Sequence, residues 1–253
     1  MPGIEMEEER SLERVAAEVV AGARELPGAK GVLLVGSAAT RTTTPNSDYD
    51  FLVMIDDNAP WPMPFRDGGR RAWIDEGGRQ VEVAYNTMGR MRRRSAEEEA
   101  TGSCLRRDGL ANARVLWAAD DDMQALVAES QAVVAAAPPP MESQDVLWEC
   151  YDLWNQLKDI EDRLTDRRVV QILAGPTFAQ FLRFFFRLER RWQPRPRDIL
   201  RTVAGIDRGC HERCVEFLDA GSAQAQYDAL ERVASYLSYR FGLTFEAGYT
   251  SSR

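Results

Sequence analysis

Two aspartates separated by a single residue, Asp48-Tyr49-Asp50, open the run YDFLVMI, which is rich in β-branched and aromatic side chains. Such a run favours a strand, and alternate residues of a strand point to one face. Asp48 and Asp50 therefore project together while Tyr49 and Phe51 point the other way. Two carboxylates side by side on a rigid backbone repel each other, and a hard divalent cation between them removes the repulsion. A third acid, Glu82, stands between Val81 and Val83 in the strand-like run QVEVAY, where its apolar neighbours give a lone charge no other reason to be. Three convergent acids can hold two metal ions. Upstream, the apolar run GVLLV at 31–35 ends in Gly36-Ser37. Gly36 lets backbone approach a ligand closely, and the Ser37 hydroxyl and nearby amides can bond phosphate oxygens. The set reads as a site for a metal and a triphosphate.

These residues need elements to hold them. Leu12, Val15, Ala16, Val19, Val20 and Ala23 recur at helical spacing behind a Glu-rich opening, which predicts an amphipathic helix ending near Pro27-Gly28. Strands are expected at 31–35 and 48–55, and a hairpin pairs 71–75 with 80–85 across Glu76-Gly77-Gly78. Residues 56–69, loaded with Pro, Gly and Asp, form a loop. A helix over 95–107, a strand over 113–117 and a helix over 121–136 complete an α+β first half, a mixed sheet flanked by helices. Pro138-Pro139-Pro140 cannot continue a helix, and it separates a catalytic domain at 1–137 from a helical bundle at 141–253. Helices are expected there at 142–165, 168–174, 176–192, 196–204, 207–219 and 223–241.

Composition limits the partners. Over 253 residues the formal charge is −8, which disfavours a nucleic-acid partner, since affinity for a polyanion comes mostly from phosphate neutralisation. The acidic, polar start is not a secretory signal, and no apolar run approaches bilayer length, so a cytoplasmic protein with no membrane partner is expected. Four scattered cysteines suit reduced thiols. Cys210-His211-x-x-Cys214 has metal-like residue types but no second ligand cluster, so it reads as helix packing. The run RMRRR at 90–94 precedes Glu97-Glu98-Glu99 at ion-pair spacings, which reads as a solvated helix face.

Gly-Ser, ten intervening residues, Asp-x-Asp and then an acid in a later strand form an order that resembles the DNA polymerase beta-like nucleotidyltransferase superfamily. A helical half after the catalytic half resembles its small-molecule members, such as the aminoglycoside and lincosamide nucleotidyltransferases. The resemblance implies that Asp48, Asp50 and Glu82 bind two Mg²⁺ ions and act in catalysis, and that Gly36 and Ser37 form the phosphate loop. Ser47, directly before the first aspartate, also fits. Relatives read Gly-Ser-x-Ala-x-Gly in this loop; Ala39 fits the alanine, whereas Arg41 replaces the second glycine and is placed to face the triphosphate. Trp192, Pro194 and Arg197 resemble an aromatic-proline-basic arrangement that reaches nucleotide phosphates. The implied reaction is in-line attack of an acceptor hydroxyl on the α-phosphorus of ATP or another nucleoside triphosphate, with release of pyrophosphate. Glu82, Glu149 and Asp152 are rival bases. The acceptor expected is a small hydroxylated molecule such as an antibiotic, handled by a monomer or homodimer. The alternatives are nucleotidylation of a protein or RNA, and a nucleotide-binding module without turnover.

Overall fold

A computed structural model of the protein describes residues 2–44, 46–61 and 69–245, with side chains from residue 9 onward. Two compact units make up the chain, Met1–Ala136 and Ala137–Arg253. In chain order the first contains α1 (Pro2–Arg24), β1 (Ala29–Val35), α2 (Gly36–Ala39), β2 (Tyr49–Ile55), β3 (Arg70–Ile74), β4 (Gln80–Thr87), α3 (Met88–Ala100), α4 (Leu105–Ala111), β5 (Arg114–Ala118) and α5 (Asp122–Ala135). The sheet runs β3-β4-β2-β1-β5. Only β2 and β4 pair in parallel; the other neighbours are antiparallel. This is an α+β fold.

Alternation along the strands sorts their side chains between two cores. Val32, Leu34, Phe51 and Val53 pack against Val15, Val19 and Ala23 of α1. Leu33, Leu52 and Met54 face the other way, onto Met88 and Met91 of α3, Leu110 of α4, and Met123 and Leu126 of α5. With both faces covered, the central strands β1 and β2 are almost continuously buried, as their apolar runs require.

The hairpin forms as the glycines predict, whereas the helix expected over 95–107 does not. It begins earlier, at Met88, and breaks at 101–104 into α3 and α4. Glu98 causes the break to hold: its carboxylate accepts hydrogen bonds from the amides of Leu105 and Arg106, at 3.0 and 3.1 Å, and so caps α4. Of the RMRRR-EEE face, Arg93 pairs with Glu97 in solvent, but Glu99 binds Arg107, a buried arginine that also reaches Glu129. Of the loop expected at 56–69, residues 62–68 lie outside the described residues.

The second unit is helical: α6 (Ser143–Glu161), α7 (Arg167–Leu188), a 3₁₀ turn (Pro196–Asp198), α8 (Ile199–Ile206), α9 (Arg208–Leu218) and α10 (Ala223–Phe241). The two helices expected on either side of Gly175-Pro176 are one continuous α7. Pro176 withholds a donor from the carbonyl of Ile172, a residue 70% exposed, so water can satisfy that group. Among the described helices α7 alone has the length and apolarity to cross a membrane, contrary to the expectation that no such run exists. Here its Val170, Phe178, Phe181 and Phe184–Phe186 lie in the core of the helical unit.

Candidate active site

Asp48 lies just before β2 and Asp50 on it, on the face shared with Leu52 and Met54. The parallel register sets Glu82 of β4 directly beside Asp50. In-register neighbours share a face, so the three carboxylates belong to one side of the sheet. Their charges are felt at Asp50, whose pKa is pushed up to about 6, chiefly by burial and then by Asp48 and Glu82.

Gly36 closes the site from the β1 end. It stands at the start of α2 with a φ of 71°, and a Cβ placed on it would sit 2.7 Å from Asp50 Oδ2. Only glycine allows both that backbone conformation and that approach. Ser37 follows on α2, and among the described residues its hydroxyl makes no hydrogen bond. Ser47, in contrast, is committed to the loop: its Oγ accepts from the Thr44 amide at 2.8 Å.

Arg41 occupies the place where relatives carry glycine, and its φ of 56° is the left-handed conformation that glycine adopts freely. The chain thus makes this bend without the residue that adopts it most easily. Arg41 also lines a cavity of about 590 Å³ together with Leu34, Tyr49, Arg79 and residues of α1. Leu34 and Tyr49 belong to the core on the α1 side of the sheet, opposite the carboxylates, so this cavity is not the site of the acids.

Two arginines near the acids escape the motif reading. Arg79 Nη1 donates to the carbonyls of Thr44 and Ser47, at 3.2 and 3.0 Å, and so ties the hairpin to the loop that delivers Asp48. Arg70, at the start of β3, places Nη1 2.7 Å from Glu82 Oε1. A signal for Arg70 exists in the sequence: counting outward from Gly77 sets Ala72 opposite Glu82, which leaves Arg70 on the same face one diagonal away.

Among the described residues no three carboxylate, thiolate or imidazole groups converge tightly enough to grip an ion as they stand. The residues nevertheless fit a divalent cation. They offer hard oxygen donors from adjoining strands on one face, mutual repulsion concentrated on Asp50, and a glycine whose missing Cβ lets its backbone lie against the Asp50 carboxylate.

The remaining residues singled out by sequence lie in the helical unit. Arg197 sits in the 3₁₀ turn, exposed and 3.7 Å from Asp198. Glu149 and Asp152 on α6 both accept from Gln180 Nε2 of α7, at 3.0 and 2.7 Å. All four cysteines are free and buried, and burial pushes the Cys150 thiol up to about 11.

Residues 17–104, which span Gly36-Ser37 and all three acids, match the family model described as the nucleotidyltransferase domain. This protein carries a nucleotidyltransferase domain. Its enzymatic class is therefore transfer of a nucleotidyl group from a nucleoside triphosphate. A solved structure described as a nucleotidyltransferase-like protein from Exiguobacterium sibiricum 255-15 is similar in fold, with a TM-score of 0.53 at 10% identity. The likeness covers 92% of this chain and 77% of that one. No curated protein matches the chain. The nucleotidyltransferase domain and the α+β fold agree with the resemblance read from the motifs.

Proposed function

We propose that the chain transfers a nucleoside monophosphate, from ATP or another nucleoside triphosphate, to a hydroxyl of a small molecule such as an antibiotic or natural product. The observation that carries this reading is the register that sets Glu82 beside Asp50 on one face, with Gly36 against Asp50. In the reaction the acceptor oxygen forms a bond to the α-phosphorus, the bond from that phosphorus to the β-phosphate bridging oxygen breaks, and pyrophosphate leaves. Two Mg²⁺ ions held by Asp48, Asp50 and Glu82 would supply the positive charge that such a transfer needs.

The chain's own residues do the positioning. Gly36, lacking a Cβ, lets the backbone lie against the Asp50 carboxylate, and Ser37 Oγ is free to donate to a phosphate oxygen at this bend. Arg79 holds the carbonyls of Thr44 and Ser47, which helps fix where Asp48 enters β2. Glu82, on a different strand from the aspartate pair, is the acid proposed to take up the acceptor's proton. The buried free cysteines suit a reducing compartment, and the cytoplasm is the proposed location.

The test is mass spectrometry of a library of hydroxylated acceptors incubated with each nucleoside triphosphate and Mg²⁺. One acceptor should gain the mass of a nucleoside monophosphate while pyrophosphate accumulates, and Asp50→Ala should abolish both. Transfer that persists in Asp50→Ala would remove the basis of the reading.

A further inference from the structure

We infer that Arg70 stands in for the cation in the metal-free protein, holding Glu82 until a divalent ion displaces it, and that it thereby sets how tightly the site binds metal. The inference rests on the reading of Asp48, Asp50 and Glu82 as a cation site.

Geometry gives Arg70 this position. It is the first residue of β3, an edge strand, and the antiparallel register puts it opposite Ala84, two residues beyond Glu82 on the same face. From there its guanidinium reaches Glu82 Oε1 at 2.7 Å. Glu82 is mostly enclosed, with 21% of its side chain exposed, whereas Arg70 is 71% exposed. The carboxylate is therefore fixed by the sheet while the arginine reaches in from solvent on a long flexible stem and can leave without disturbing the fold.

Electrostatics supplies the reason for such a partner. Three acids on one face repel each other, and a positive charge at the rim offsets part of that cost. Arg70 does so for Asp50 as well as for Glu82, since its charge opposes the upward pull that burial, Asp48 and Glu82 exert on the Asp50 carboxyl. The same charge works against an incoming cation. An ion that takes Glu82 as a ligand must break the Arg70 pair and then tolerate a guanidinium nearby. An arginine placed only to strengthen the hairpin would gain little from such a partner, because an exposed cross-strand pair contributes at most about 1 kcal/mol.

The measurement is titration of the nucleotide-free protein with Mn²⁺ alone, the free ion being counted by electron paramagnetic resonance. Arg70→Ala should tighten Mn²⁺ binding about fivefold over the unaltered protein, the upper range for a pair with one exposed partner. Arg70→Lys, which keeps the charge, should stay within about twofold of it. In a Glu82→Gln background, Arg70→Ala should gain much less, since the pair is already absent. Mn²⁺ binding to Arg70→Ala that is no tighter than to the unaltered protein, including the case in which neither binds, overturns the inference. Failure of the underlying reading looks different: Mn²⁺ would then bind Asp50→Asn as tightly as the unaltered protein.

Discussion

Asp50 is the residue on which the competing forces of the site converge. Burial removes water from its carboxylate, and Asp48 and Glu82 add like charge from the same face, so its pKa rises from an ordinary 3.8 to about 6. A carboxyl whose pKa is higher folded than unfolded binds its proton more tightly in the native state. The stability it lends is fully present below about pH 4 and is lost as pH rises through about 6. The metal-free protein should therefore lose stability between pH 4 and pH 7 by this route. Asp50→Asn keeps the shape and has no proton to lose, so its melting temperature at pH 8 should exceed that of the unaltered protein. After allowance for solvent screening the gain is on the order of 1 kcal/mol, or roughly 2–4 °C. At pH 4.5 the two proteins should melt much closer together. Thermal melts in chelator at both pH values check the sign, and an equal or lower melting temperature for Asp50→Asn at pH 8 would mean that the three acids do not repel as argued.

At the scale of elements, the bend that follows β1 shapes the candidate site, and Gly36 is its pivot. Gly36→Ala would force a side chain into the left-handed region and set its Cβ against Asp50 Oδ2. Gly78, in the β3–β4 turn, has a φ of 81° and nothing within 4 Å of a Cβ placed on it. Both alanine variants should lose about 1–2 kcal/mol of stability from the backbone conformation. Only Gly36→Ala should also cut pyrophosphate release, by about a hundredfold, because it displaces a reacting group. Equal activity in the two variants would separate the bend from catalysis. The bend was legible in sequence because Gly-Ser, Asp-x-Asp and Glu82 keep a spacing that strand alternation converts into one face. The Glu98 cap that splits α3 from α4 was not legible, since a carboxylate reaching amides seven and eight residues onward leaves no periodic trace. Continuous α7 escaped for the opposite reason: a Gly-Pro pair signals a break, and burial of its phenylalanines outweighed the missing hydrogen bond.

At the scale of the whole molecule, each unit carries its own core, and the helical unit is fastened by a polar knot that no motif announced. Asp207 caps α9 by accepting from the Cys210 amide at 2.9 Å, accepts from the Tyr236 hydroxyl at 2.8 Å, and pairs with Arg240 of α10, which also binds Glu189 at the end of α7. Burial opposes ionisation of Asp207, yet the Cys210 amide, Tyr236 and Arg240 together hold its carboxyl below the usual range. That stability is present above about pH 4 and lost as pH falls below it. Arg240→Ala would leave a side chain only 4% exposed without its cation. Breaking a buried pair from one side costs about 3–5 kcal/mol, and partial exposure of Arg240 brings the expectation to roughly 2–3 kcal/mol. With separate cores for the two units, calorimetry should resolve two components. Arg240→Ala should lower the one that belongs to the helical unit, while the component that nucleoside triphosphate and Mg²⁺ raise keeps its ligand-free position. If both components fall together, the units unfold as one, and the division at residue 136 describes packing density but not separate folding.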